Sequence, residues 1–116
     1  MKELMEDIAK WHTETFDTTR EAQVLKLAEE VKEAHATASI EDWHKEMADV
    51  CFVLAALIYR YNDETSKAIF FTLWAVLREY DKKAIEYELE LKFEKNKKRV
   101  WIKQPDGTYH HAQGTD

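Results

Sequence analysis

Glu46-Met47-Ala48-Asp49-Val50-Cys51-Phe52-Val53-Leu54-Ala55-Ala56-Leu57-Ile58 decides how the rest of the chain is read. From Val50 to Ile58 every residue is apolar, so an α-helix here offers no face to solvent and is enclosed by partners on all sides. The run is about half of what spans a bilayer, which excludes a membrane helix. In a chain of 116 residues such enclosure also points to oligomerisation. Glu46 and Asp49 stand one helical turn apart directly before the run, where carboxylates are expensive to desolvate unless a cation meets them.

Outward from this stretch the pattern stays helical. The only Pro and both Gly are Pro105, Gly107 and Gly114, so the first 104 residues lack a strong helix breaker. Capping chemistry divides them instead: Thr18 with Glu21, Ser39 with Asp42, and the interruption Asn62-Asp63-Glu64-Thr65. The expected elements are helices near 2 to 13, 19 to 36 and 40 to 61, and a long or broken fourth near 64 to 98 with a bend near Asp81. In the second, Val24, Leu27, Ala28, Val31 and Ala34 recur at helical spacing and read as one buried stripe. After Arg99, Val100-Trp101-Ile102, the turn signal Pro105-Asp106-Gly107 and Thr108-Tyr109-His110 predict a short hairpin or ordered tail, with fraying from Ala112 to Asp116. The fold class is therefore all-α: a single domain built as a bundle of about four helices with a C-terminal hairpin.

Four Trp, five Tyr and five Phe supply a core large enough to exclude disorder. The lone Cys51 excludes a disulfide framework and favours a reducing cytoplasmic setting. A formal net charge of −6 argues against general nucleic-acid binding. The N-terminus, mixed in charge and without an apolar stretch, is no signal or transit peptide.

Five acids carry the chemistry: Glu29, Glu30 and Glu33 in the second helix, Glu46 and Asp49 in the third. Glu30 and Glu33 share a face, as do Glu46 and Asp49, and antiparallel neighbours can bring the pairs together. A solvated face is the ordinary reading of one Glu-x-x-Glu; a second pair abutting an apolar run is harder to explain that way. Converging carboxylates repel, whereas hard divalent cations accept all-oxygen sites, so the pattern indicates Mg²⁺ or Mn²⁺. Residues 29 to 49 hold seven acids against two bases, and residues 92 to 103 hold six bases against one acid. A metal-holding acidic cluster facing a basic helix end suits a polyphosphate ligand. The basic run also fits a helix C-terminus answering its macrodipole. His12, His35 and His44 are expected on partly exposed faces, and Trp11, Phe16, Trp43 and Trp74 in the core or an interface.

The strings Leu27-Ala28-Glu29-Glu30-Val31-Lys32-Glu33 and Glu46-Met47-Ala48-Asp49-Val50 resemble the metal motif of the MazG-like all-α nucleoside triphosphate pyrophosphohydrolases. Lys92 and Asn96 are similar to that family's phosphate-contacting positions. Trp11-His12 to Phe16, and Asn96 through Trp101 to His111, resemble a small phage- or mobile-element-type subgroup. The resemblance implies Mg²⁺-dependent hydrolysis of an NTP or dNTP to monophosphate and pyrophosphate, with Mn²⁺ as a substitute ion. It implies Glu30, Glu33, Glu46 and Asp49 as metal ligands, Glu29 as a further carboxylate orienting water, and Lys92, Asn96 and Arg99 on phosphates. Trp11, Phe16 and Trp43 are the candidates for the base, and a homodimer or homotetramer is implied. Lys32 departs from the family, many of whose members carry Gly there.

Two other classes compete. A ferritin-like di-metal bundle needs Glu-x-x-His on two helices, and only Glu41-x-x-His44 occurs. A non-catalytic acidic helical adaptor, antitoxin-like, would use the apolar third and fourth helices to bind a partner.

Overall fold

The computed structural model describes residues 1–112. Its elements are α1 (Lys2–Thr15), α2 (Arg20–His35), α3 (Ile40–Tyr59), α4 (Glu64–Val76) and α5 (Glu79–Lys98), followed by β1 (Trp101–Lys103) and β2 (Tyr109–His111). The all-α body with its C-terminal hairpin stands as expected, with five helices in place of about four. The long fourth segment is broken by Leu77 and Arg78, both extended, and not by a bend at Asp81. Asp81 lies inside the first turn of α5, where it accepts a 2.8 Å hydrogen bond from His44 Nε2 and pins α5 to α3. That contact joins residues far apart in sequence, and no local breaker marks it.

The apolar run forms the central helix. Val50, Cys51 and Val53 through Ile58 are buried, and α1, α2, α4 and α5 all pack on α3. The enclosure expected of this helix is thus completed within one chain, and it no longer argues for oligomerisation. The exposed apolar surface lies elsewhere: α4 buries only Ser66 and leaves Ile69, Phe71 and Val76 at 45%, 72% and 73% exposure. On α2 the expected stripe is displaced, because Val24 and Val31 face solvent while Ala22, Gln23, Glu30 and Ala34 are buried. The helix is rotated so that Glu30 turns inward.

Caps set the helix starts. Ser39 Oγ accepts from Asp42 N–H, as its pairing predicts. Asp63 accepts from both Ser66 N–H (2.9 Å) and Ser66 Oγ (2.6 Å) and receives Arg20 Nε at 2.7 Å, tying the start of α4 to α2. Asn62 before it takes φ 52°, which Asn tolerates. The cap of α2 is Thr19, not Thr18; its side chain accepts from Ala22 N–H. Thr18 instead donates from Oγ1 to Gly107 O at 2.6 Å, a link to the hairpin that sequence spacing does not reveal.

A hairpin of three-residue strands is not stable alone. Here Trp101, Ile102 and Lys103 pair with His111, His110 and Tyr109, and the turn is docked on the α1–α2 junction. Tyr109 Oη donates to Asp17 O at 3.3 Å, Lys103 Nζ lies 3.6 Å from Asp17, and Thr108 is fully buried. Gly107, at φ 85°, is the turn position needing left-handed backbone, and a Cβ there would come 3.3 Å from the Ala22 Cβ. Ala112, expected to fray, donates its N–H to Val100 O at 2.8 Å; the other four residues of that expectation lie outside the described ones.

Candidate functional site

Rotation of α2 brings its acids against α3. One carboxylate oxygen each from Glu30, Glu33 and Glu46 lies within 4.8 Å of the others, joining the two helix pairs as their spacing predicts. Glu30 is buried, Glu46 half-buried and Glu33 exposed. Among the described residues no donor reaches Glu30 Oε2 or Glu46 Oε2, although both atoms are buried. Asp49, the fourth predicted ligand, is one turn farther along α3 and forms a 3.1 Å ion pair with Lys92 Nζ of α5.

The electrostatics match this crowding. Burial first, and then the Asp49 charge, push the Glu30 carboxyl up to about 7. Burial together with Asp49 and Glu33 raises Glu46, and burial raises Asp49 against the pull of Lys92. Lys26 partly offsets this, with Nζ 3.5 Å from Glu30 and 3.6 Å from Glu29. Orphaned buried carboxylate oxygens in an all-oxygen donor set are what a hard divalent cation satisfies, so the residues fit Mg²⁺ or Mn²⁺.

All of these acids but Glu46 line one end of a cleft of about 510 Å³, within the usual range for small-ligand sites. Glu29, Glu30, Glu33 and Asp49 occupy that end, and Lys92, Asn96 and Arg99 follow along α5. Asn96 is buried; its Oδ1 accepts from Arg99 Nη1 at 2.8 Å, and its main-chain O accepts from Trp101 Nε1 at 3.0 Å. The basic segment 92 to 103 is only partly turned inward. Lys92 and Arg99 line the cleft, whereas Lys97 pairs with Glu94 at 2.8 Å and Lys103 with Asp17.

The other end is aromatic: Phe16, Phe52, Trp101, Tyr109 and two histidines, His110 and His111. Of the three expected base contacts only Phe16 lines the cleft. Trp11 is held among the rings of Phe16, Phe52, Phe93 and Trp101, with centroids 5.2 to 6.5 Å away, and Trp43 packs beside His44 on the core. Trp11 and Trp43 both pack against the core and lie outside the cleft lining. Sequence reasoning missed Lys26, Gln23 and His12 in this wall; only the three- and four-residue spacing of Lys26 from Glu29 and Glu30 could have flagged one of them.

His12 and His44 are buried, not partly exposed as expected, whereas His35 is exposed. Arg60 Nη1 donates to His12 Nδ1 at 2.8 Å, and since Arg can only donate, the His12 proton resides on Nε2. Burial and the Arg60 charge hold His12 down at about 4. His44 is committed to Asp81 while Glu41 is exposed, so Glu41-x-x-His44 does not form a metal pair. Lys32 is exposed and does not line the cleft.

Compared with known proteins, the chain matches no family model, no curated protein and no solved structure.

Proposed function

We propose that the chain is a Mg²⁺-dependent nucleoside triphosphate pyrophosphohydrolase, as its resemblance to the MazG-like family implies. The observation that carries this reading is the convergence of Glu30, Glu33 and Glu46, two of them with orphaned buried oxygens, beside a cleft that Glu30 and Glu33 line together with Asp49, Lys92 and Arg99. Glu30, Glu33, Glu46 and Asp49 would hold the ion. When bound, the divalent ion supplies charge that polarises phosphate oxygens and lowers the pKa of water.

The chain's own residues do the rest. Lys26 and Lys92, counterions of Glu30 and Asp49 here, turn to phosphate oxygens when a polyphosphate enters. Asn96 and Arg99, clamped to each other, hold phosphate oxygens. Glu29, at the rim, orients the water and takes its proton. A bond forms from the water oxygen to phosphorus, the anhydride bridge between the α and β phosphates breaks, and pyrophosphate leaves with the bridge electrons.

The test is a panel of NTPs and dNTPs with the purified protein and Mg²⁺, resolving monophosphate, diphosphate, pyrophosphate and orthophosphate. Monophosphate plus pyrophosphate, lost with EDTA, is the expected result; no turnover with Mg²⁺ or Mn²⁺ removes the reading.

One observation favours a second reading, a non-catalytic adaptor or antitoxin-like protein: the apolar face of α4 at Ile69, Phe71 and Val76. On the enzymatic reading the same face joins copies into a homodimer or homotetramer.

No helix among the described residues is long and apolar enough to cross a membrane. The lone, buried Cys51 supports a reducing setting, and we place the protein in the cytoplasm, where it would act in housecleaning or in control of the dNTP pool.

A further inference from the structure

The cleft has two chemically distinct ends, and a phosphate chain accounts for only one. Lys92, Asn96 and Arg99 advance roughly 10 Å along the α5 axis, and then Trp101 begins the hairpin. The backbone thus leads from the cations to the aromatic wall without a gap. The hairpin is anchored to face this space by Thr18 on Gly107, by Tyr109 on Asp17 and by Trp101 on Asn96. Phe16, 6% exposed, backs the Tyr109 and Trp101 rings at centroid distances of 4.6 and 5.3 Å. What the cleft meets at this end is therefore mostly half-buried Trp101 and Tyr109 and the exposed imidazoles of His110 and His111.

We propose that the C-terminal hairpin is the nucleobase subsite, with Trp101, Tyr109 and His111 forming the surface on which the base stacks. The inference rests on the nucleotide reading above, and it assigns base recognition to the hairpin in place of Trp11 and Trp43. Aromatic stacking is sequence-tolerant because every base has a π-face, so the wall selects nucleotides over baseless phosphates more strongly than one base over another. His110 and Gln23, both at the cleft, add polar groups for discrimination among bases.

The experiment is calorimetric binding of AMP, GMP, CMP and UMP, against ribose 5-phosphate, to the full chain. The monophosphates should bind about 5- to 150-fold more tightly, the range for losing one stacked base. Trp101→Leu and His111→Ala should each narrow that ratio. Because Trp101 also anchors the hairpin, His111→Ala, at an exposed position, carries the test if Trp101→Leu perturbs the fold. No advantage for the monophosphates over ribose 5-phosphate, or an advantage that both variants leave intact, overturns the subsite. Base-dependent binding without triphosphate hydrolysis would keep the subsite and remove the reaction, so the two failures are distinguishable.

Discussion

Glu30, whose carboxyl is pushed up by burial and the Asp49 charge, makes the clearest prediction at the residue scale. Its folded carboxyl titrates at about 7 against an ordinary 4.5, so between those values the folded protein keeps a proton that the unfolded chain has released. Metal-free stability therefore falls as pH rises through that window, by up to about 3 kcal/mol from this group. Glu30→Gln should stabilise the metal-free protein at pH 8 by an amount of that order, with the gain shrinking towards pH 4.5; urea unfolding in EDTA at several pH values measures it. His12 works in the opposite sense. Held at about 4 against 6.5, it must gain a proton to unfold at low pH, so its contribution is complete above 6.5 and is lost as pH falls to 4. The two slopes oppose each other in the wild type, and Glu30→Gln should expose the His12 slope as a stability that rises with pH from 4 to 6.5. In turnover, Glu33→Ala or Asp49→Ala should abolish activity with helicity intact, and wild-type rates would remove the metal assignment. Lys92→Ala should raise KM, since it deletes the cation that faces Asp49 in this structure.

At the scale of elements, the joints are side chains that answer a neighbouring element. Asp63 accepts from Ser66 twice and binds Arg20, and those bonds pull its carboxyl below the usual range. Asp63→Ala should destabilise the protein by about 2 kcal/mol, above the ~1 kcal/mol typical of a lone cap such as Ser39, because a tie between helices is lost as well. Parallel thermal melts of Asp63→Ala and Ser39→Ala would check the order. The hairpin depends on Gly107 in the same way. Gly107→Ala combines left-handed backbone with a 3.3 Å approach to Ala22, and should loosen the hairpin while leaving far-ultraviolet helicity unchanged. A red shift of tryptophan emission without loss of helix would mark that outcome; an unchanged spectrum and Tm would contradict the docking described above.

For the whole molecule, the radius of gyration of 13.5 Å is about what a compact chain of this length should have. The apolar exposure of α4 is therefore a property of a closed fold and not of a half-built core. Phe71→Glu with Val76→Glu should leave the monomer's helicity and melting unharmed, since both positions are largely exposed, and should convert an oligomer to monomers in light scattering. The sequence by itself determined the helical class, the enclosed third helix, the hairpin turn and the pairing of Glu30 and Glu33 with Glu46 on adjoining helices. Each follows from local spacing, propensity or turn chemistry, which act within a few residues. The tertiary structure alone decided the break at Leu77, the shift of the α2 cap to Thr19, the burial of His12 and His44, the rotation of α2 that exposes Val24, and the closure of the cleft by the hairpin. Those depend on contacts such as His44 to Asp81, Arg60 to His12 and Thr18 to Gly107, which join residues 37, 48 and 89 positions apart. Side-chain spacing along a helix carries no information about such pairs, because their energy exists only once the helices have packed.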